Sequence, residues 1–105
     1  MSWQDHIIAA HLAVTDKVGH FGYEKSDRYF VWQEDGANDL VASGVHVEKA
    51  VTGTTDLFTK QEFDPWIEEI ETAFDESPYI YWRMKSIQHE EETGFYHYEW
   101  RWEVI

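Results

Sequence analysis

A chain of 105 residues holds about one domain, and 43% hydrophobic with 17% aromatic content is enough to bury a core, which excludes a disordered chain. The absence of cysteine excludes a disulfide scaffold and thiolate chemistry. With 21 acidic against 8 basic residues, a formal charge of −13, the surface repels phosphate backbones and anionic membranes, so neither specific nucleic-acid binding nor membrane association is expected.

The same charge opposes self-association at low salt, so any oligomer needs apolar contact or placed countercharges. Met1 to Val14 carries Asp5, His6 and His11, unlike a signal peptide, and no apolar run approaches the length of a membrane helix. Residues 1–105 are expected to form a single domain.

In chain order, Ser2 and Asp5 have the Ser-x-x-Asp spacing of a helix start. Behind them Trp3, Ile7, Ala10 and Val14 step by four, three and four, one apolar helical face. Gly19 and Gly22 bracket His20 and Phe21 and predict a turn. Tyr29 to Glu34, YFVWQE, is rich in strand formers. It runs into Asp35 to Ser43, which is predicted as an extended polar turn because Asp, Gly and Asn favour turns. A second extended region, Val45 to Phe58, has Val45, Val47, Val51 and Leu57 in one parity, and Gly53 predicts a bulge or a break into two strands.

Asp64-Pro65 predicts the start of a second helix, a capping carboxylate followed by a proline where no N–H is missed. Its apolar stripe is Phe63, Ile67, Ile70 and Phe74 with Ala73 alongside, while Glu68, Glu69 and Glu71 are expected to face water. Ser77-Pro78 ends it. Tyr79 to Ile87 reads as a strand with Ile80, Trp82 and Met84 opposite Tyr81, Arg83 and Lys85. After the loop Glu90 to Gly94, the final stretch alternates cleanly. Tyr96, Tyr98, Trp100, Trp102 and Val104 point one way, and His97, Glu99, Arg101 and Glu103 the other. One apolar and one charged face predict a half-buried antiparallel strand whose rings form the core beneath two amphipathic helices. The expected fold is α+β: a four- or five-stranded antiparallel or mixed sheet with both helices on one face, in the order α-β-β-(β)-α-β-β.

Chemistry is harder to find. His6 and His11 are five apart, which turns them away from one another on a helix. His46 with Glu48 and His97 with Glu99 share strand faces, but no third ligand is anchored by spacing. His89 precedes three glutamates without the second histidine of a zinc-protease motif. No serine lies in a Gly-x-Ser-x-Gly elbow. The chain is therefore not expected to be an enzyme or to hold a metal or cofactor. Tyr79, Tyr81, Arg83 and Lys85 alternate aromatic and basic groups, a pattern that can stack single-stranded bases but suits a subunit interface better in so acidic a domain.

The order of several local phrases resembles the small tail-completion, or tail-terminator, proteins of long-tailed phages and prophages. These are a short N-terminal helix leading into Gly19-His20-Phe21, the strand Tyr29-Phe30-Val31-Trp32 and the Asp35-Gly36-Ala37-Asn38 turn. They continue with Asp56-Leu57-Phe58-Thr59-Lys60, the acidic helix DPWIEEIETAFDE from Asp64 to Glu76, and a terminal hairpin. The likeness runs from about residue 10 onward. The charged stretch Tyr23 to Arg28 departs from the proline-rich segment common in that family.

The resemblance implies a structural role in the virion tail, with assembly in the host cytoplasm. Such proteins form a ring, usually of six subunits, that caps the tail tube and joins it to the head connector, and an isolated subunit can remain a monomer. Arg83, Lys85 and Arg101 are then candidates to meet acidic neighbours such as Glu68 and Glu71 across subunits. Asp35, Asn38 and Asp39 are candidates to contact the tube, and an acidic channel wall would let DNA pass. The alternative from composition is a small acidic inhibitor or immunity-type protein that binds a basic partner.

Overall fold

The structure is a computed structural model; it describes residues 2–42 and 45–105, with side chains described outside 38–49. Helix α1 spans Trp3–Leu12, strands β1, β2 and β3 span Val18–His20, Arg28–Ala42 and Val45–Thr59, helix α2 spans Trp66–Glu76, and β4 and β5 span Ile80–Glu90 and Phe95–Val104. The fold is α+β, and the five-stranded sheet has the order β1-β2-β3-β5-β4. It is mixed: β1 runs parallel to β2 and every other pair is antiparallel.

The terminal aromatics are the core. Tyr98, Trp100, Trp102 and Val104 are buried together with Phe30, Trp32 and Leu57 of the sheet, Ile7 and Ala10 of α1, and Ile70 and Phe74 of α2. Both helices therefore lie on the face that the alternation marks as apolar. Asp5 accepts the backbone N–H of Ser2 at 3.1 Å, closing the first turn of α1. Asp64 accepts the N–H of Trp66 at 2.9 Å at the start of α2.

Several expectations need correction. Asp35 to Ala42 is not a turn but the second half of β2, and Gly36 to Ala42 pair with Val45–Thr52 of β3 across a second irregularity between Asp39 and Val41. Turn-forming residues are carried here because a valine-rich partner strand supplies the ladder, and an irregularity between Glu34 and Gly36 absorbs Asp35 as an extra residue. The Gly19–Gly22 segment contributes the short parallel strand β1 as well as a bend. Phe63 is not in the α2 stripe. It stands 83% exposed before the helix at φ 54°, and Trp66 takes its place against the core.

Of the two outcomes expected at Gly53, the bulge is found and the break is not: β3 runs unbroken, and the extra residue, Asp35, lies across from it on β2. The glycine is needed because a Cβ there would overlap the Trp102 ring and the Gln33 carbonyl oxygen. Trp102 thus crosses the bare backbone of β3.

His11, set aside above as half of a poor ligand pair, is fully buried among Phe30, Trp32 and Phe74. Its Nδ1–H donates to the Ile7 carbonyl at 2.7 Å, and its Nε2 accepts from the Thr55 hydroxyl at 3.0 Å. The Thr55 oxygen accepts the indole N–H of Trp102 at 2.9 Å. That chain is complete only with a neutral imidazole. Among the described residues, no buried side-chain polar atom lacks a partner.

Two outcomes follow from these contacts. Burial pushes the His11 pKa down to about 4, so the unfolded chain binds the extra proton first. Stability should be full above pH 6.5 and fall by up to about 3 kcal/mol as pH drops toward 4. Urea unfolding at pH 7.5 and 5 should show about 2 kcal/mol of this loss in the native chain and a much smaller one in His11→Gln. Gly53→Ala should lower stability by about 2 kcal/mol through overpacking against Trp102, read as a shift in the urea midpoint.

Candidate functional site

The side of the sheet away from the helices has no layer over it among the described residues, and it carries the alternate residues of β2–β5. An aromatic row crosses the strands there. Tyr29 stacks on Phe58 with ring centroids 5.1 Å apart, and Phe58 on His97 at 4.3 Å, while Tyr23 extends the row at 5.5 Å from Tyr29. Next to it lies a polar network. Asp56 pairs with His97 Nε2 at 2.7 Å and accepts from the Gln33 side-chain amide at 3.0 Å.

The candidate interface cations divide on this face. Arg101 donates to Asp35 at 2.7 Å, and Thr52 donates to the same carboxylate at 2.6 Å. Arg101 first and Thr52 second hold the Asp35 carboxyl below its usual range. Lys85 is the extra residue of a bulge in β4, between the pairs Met84–Trp100 and Ser86–Glu99, and its ammonium lies 3.3 Å from Glu99. The alternation of Tyr81, Arg83 and Lys85 with Ile80, Trp82 and Met84 holds as expected, and the register is reset at Lys85. Each of these surface pairs is worth about 0.2–1 kcal/mol.

Arg83 differs from both. It is exposed, stands directly across from Arg101 in the β4–β5 register, and makes no ion pair with any described residue. Like charges placed opposite one another repel, and Arg101 leans away toward Asp35. With Tyr81, Arg101 and Glu103, Arg83 lines a shallow dish of about 290 Å³.

The two candidate glutamates also separate. Glu68 is exposed on α2, as expected. Glu71 is not turned to water: it accepts the indole N–H of Trp100 at 2.9 Å, because a buried indole requires an acceptor. Asp35, Asn38 and Asp39 belong to β2 rather than to a loop. The side chains of Asn38 and Asp39, and those of His46 and Glu48, lie outside the described residues. His97 and Glu99 are taken up by Asp56 and Lys85, and no group of three potential metal ligands converges among the described residues.

The largest feature is the β2–β3 ribbon itself. Pairing of β1 with β2 stops at His20–Trp32, and pairing of β5 with β3 stops at Val51–Val104. From Ala37 to Ala42 and from Val45 to Ala50, the two strands continue with no third strand beside them among the described residues. Six residues at about 3.3 Å each make a projection of about 20 Å. The domain measures 49 × 23 × 22 Å.

At the opposite end of the sheet, Asp64 ties α2 to β2 and β3. Both of its oxygens accept from Arg28, and Thr59 donates at 2.7 Å. Arg28 also lies over the Trp66 ring, 3.7 Å from its centroid. Burial raises the Asp64 pKa, but Arg28, the Trp66 N–H and Thr59 together outweigh it and hold the carboxyl below its usual value.

No protein-family model matches the chain, and no curated protein matches it. Its role is therefore argued from the geometry.

Asp64→Asn removes the charge while keeping the shape. It should cost about 2–3 kcal/mol in urea unfolding at pH 7. The cost should shrink as acid protonates the native carboxyl.

Proposed function

We propose that this chain is a structural subunit of a phage or prophage tail, of the tail-terminator kind, which closes into a ring between the tail tube and the head connector. The observation that carries this reading is the bare two-stranded ribbon. Among the described residues, neither of its flanks pairs with a further strand, and such flanks carry the backbone donors and acceptors through which sheets recruit strands. A two-stranded ribbon has little stability alone, so an arm of this length in a 105-residue domain is best accounted for by a neighbour that receives it.

A second feature agrees. The dish, where Arg83 is the arginine without an ion pair to a described residue, and the glutamate-lined outward side of α2 are different surfaces. A closed ring of identical subunits needs two unlike complementary patches on each copy. Chemistry plays no part in this reading; Asn38 and Asp39 belong to the ribbon rather than to a hairpin loop, while Asp35 lies at its base, held by Arg101 and Thr52. Six copies of 12.5 kDa make about 75 kDa.

Sedimentation at raised protein concentration, with enough salt to screen the −13 charge, should show a species near that mass and ring-shaped particles by electron microscopy. A 12.5-kDa species at every concentration that binds one copy of a basic protein would instead favour the inhibitor reading.

A further inference from the structure

We infer, granting the ring-forming reading on which this rests, that subunits stack front to back: the Tyr81–Arg83 pair of one copy enters the groove between α1 and α2 of the next. Arg83 and Tyr81 share the open face of β4 and project from it, Tyr81 with 59% of its surface exposed. Trp82 between them points the other way, toward α2, where its indole N–H donates to Asp75 at 2.8 Å. The basic dish and helix α2 therefore lie back to back across the same strand.

The outer surface of α2 complements the dish. A groove of about 440 Å³ is lined by Ala13, Pro65 and Ala73 and by the carboxylates of Glu68, Glu69 and Glu76. All three glutamates are exposed, and α2 carries no basic residue to neutralise them. An aromatic ring beside a guanidinium fits such a groove: the ring covers the small apolar side chains, and the guanidinium meets the carboxylates in the forked geometry arginine favours. Covering the open face with the neighbour's helices turns two layers into three, the arrangement that leaves no sheet face bare.

Because dish and groove are unlike surfaces on opposite sides, the contact is heterologous. It repeats from copy to copy instead of closing as a two-fold dimer, and under the ring-forming reading the rotation between copies closes the circle. The contact also assigns a use to a costly arrangement. Arg83 faces Arg101 across the ladder, and Asp35 neutralises only Arg101. A carboxylate from the next copy supplies the missing partner.

Charge exchange and cross-linking test this together. Arg83→Glu, and separately Glu68→Lys with Glu69→Lys and Glu76→Lys, should each weaken wild-type oligomerisation by about tenfold or more in sedimentation equilibrium. Combining both sets in one chain, or mixing the two variants, should restore most of it. The chain has no cysteine, so Tyr81→Cys with Thr72→Cys should give a disulfide ladder beyond dimers on oxidation, whereas either change alone should stop at dimers. An oligomeric wild type with neither charge sensitivity nor a ladder would overturn the front-to-back contact and leave the ring reading standing. A wild type that remains monomeric at every concentration would overturn both.

Discussion

Burying a tryptophan also buries an indole N–H, and much of this fold follows from finding acceptors for three of them. Trp102 donates to Thr55, Trp100 to Glu71 and Trp82 to Asp75. The first bond extends inward to His11, whose neutral ring then anchors α1 through the Ile7 carbonyl. The other two fasten α2 to β4 and β5. Ring burial supplies the larger energy, about 1.5–3 kcal/mol for each large side chain. The polar contacts select which way the helices lie, since an unmet buried donor costs about 1–3 kcal/mol.

This constraint shapes the surface as well as the core. Glu71 and Asp75 are taken up by the Trp100 and Trp82 indoles, and Glu68, Glu69 and Glu76 are left exposed on the outer side of α2. On the sheet, Trp82 and Met84 turn toward the helices and so present Tyr81 and Arg83 on the bare face. The bulge at Lys85 resets the pairing and brings its ammonium near Glu99. A bulge with a lysine on an edge strand is also a familiar obstacle to uncontrolled sheet extension. The ribbon has an irregularity of its own, between Asp39 and Val41, next to the Asp39–Lys49 pair.

The two helical faces, the alternation of β5 and the Asp64 cap were legible because each is local and periodic. Residues at helical or strand spacing share a face whatever the rest of the chain does. The length of β2 was not legible. Asp35-Gly36 and Asn38 favour turns in isolation, and only pairing with Val45–Val51 overrides them. Phe63 has the right spacing for the α2 stripe but precedes the helix, so spacing alone misplaced it. His11 follows Ala10 on the apolar side of α1, a signal that pointed inward, but its spacing from His6 rejects only a metal pair and does not reveal Thr55 as its partner. Of the candidate interface residues, Arg83 and Glu68 are exposed as expected, while Arg101, Lys85 and Glu71 have partners within the chain.

From residue order alone come the α+β class, the sidedness of the helices and the identity of the aromatic core, since these depend on periodicity and on the transfer of apolar area out of water. Tertiary structure decided what depends on distant residues meeting. That includes the Trp102 ring over Gly53, the imidazole held between α1 and β3, the ribbon that outruns its sheet, and which charges are already matched. Spacing along a chain reports the direction of a side chain; only the folded backbone reports what lies in that direction.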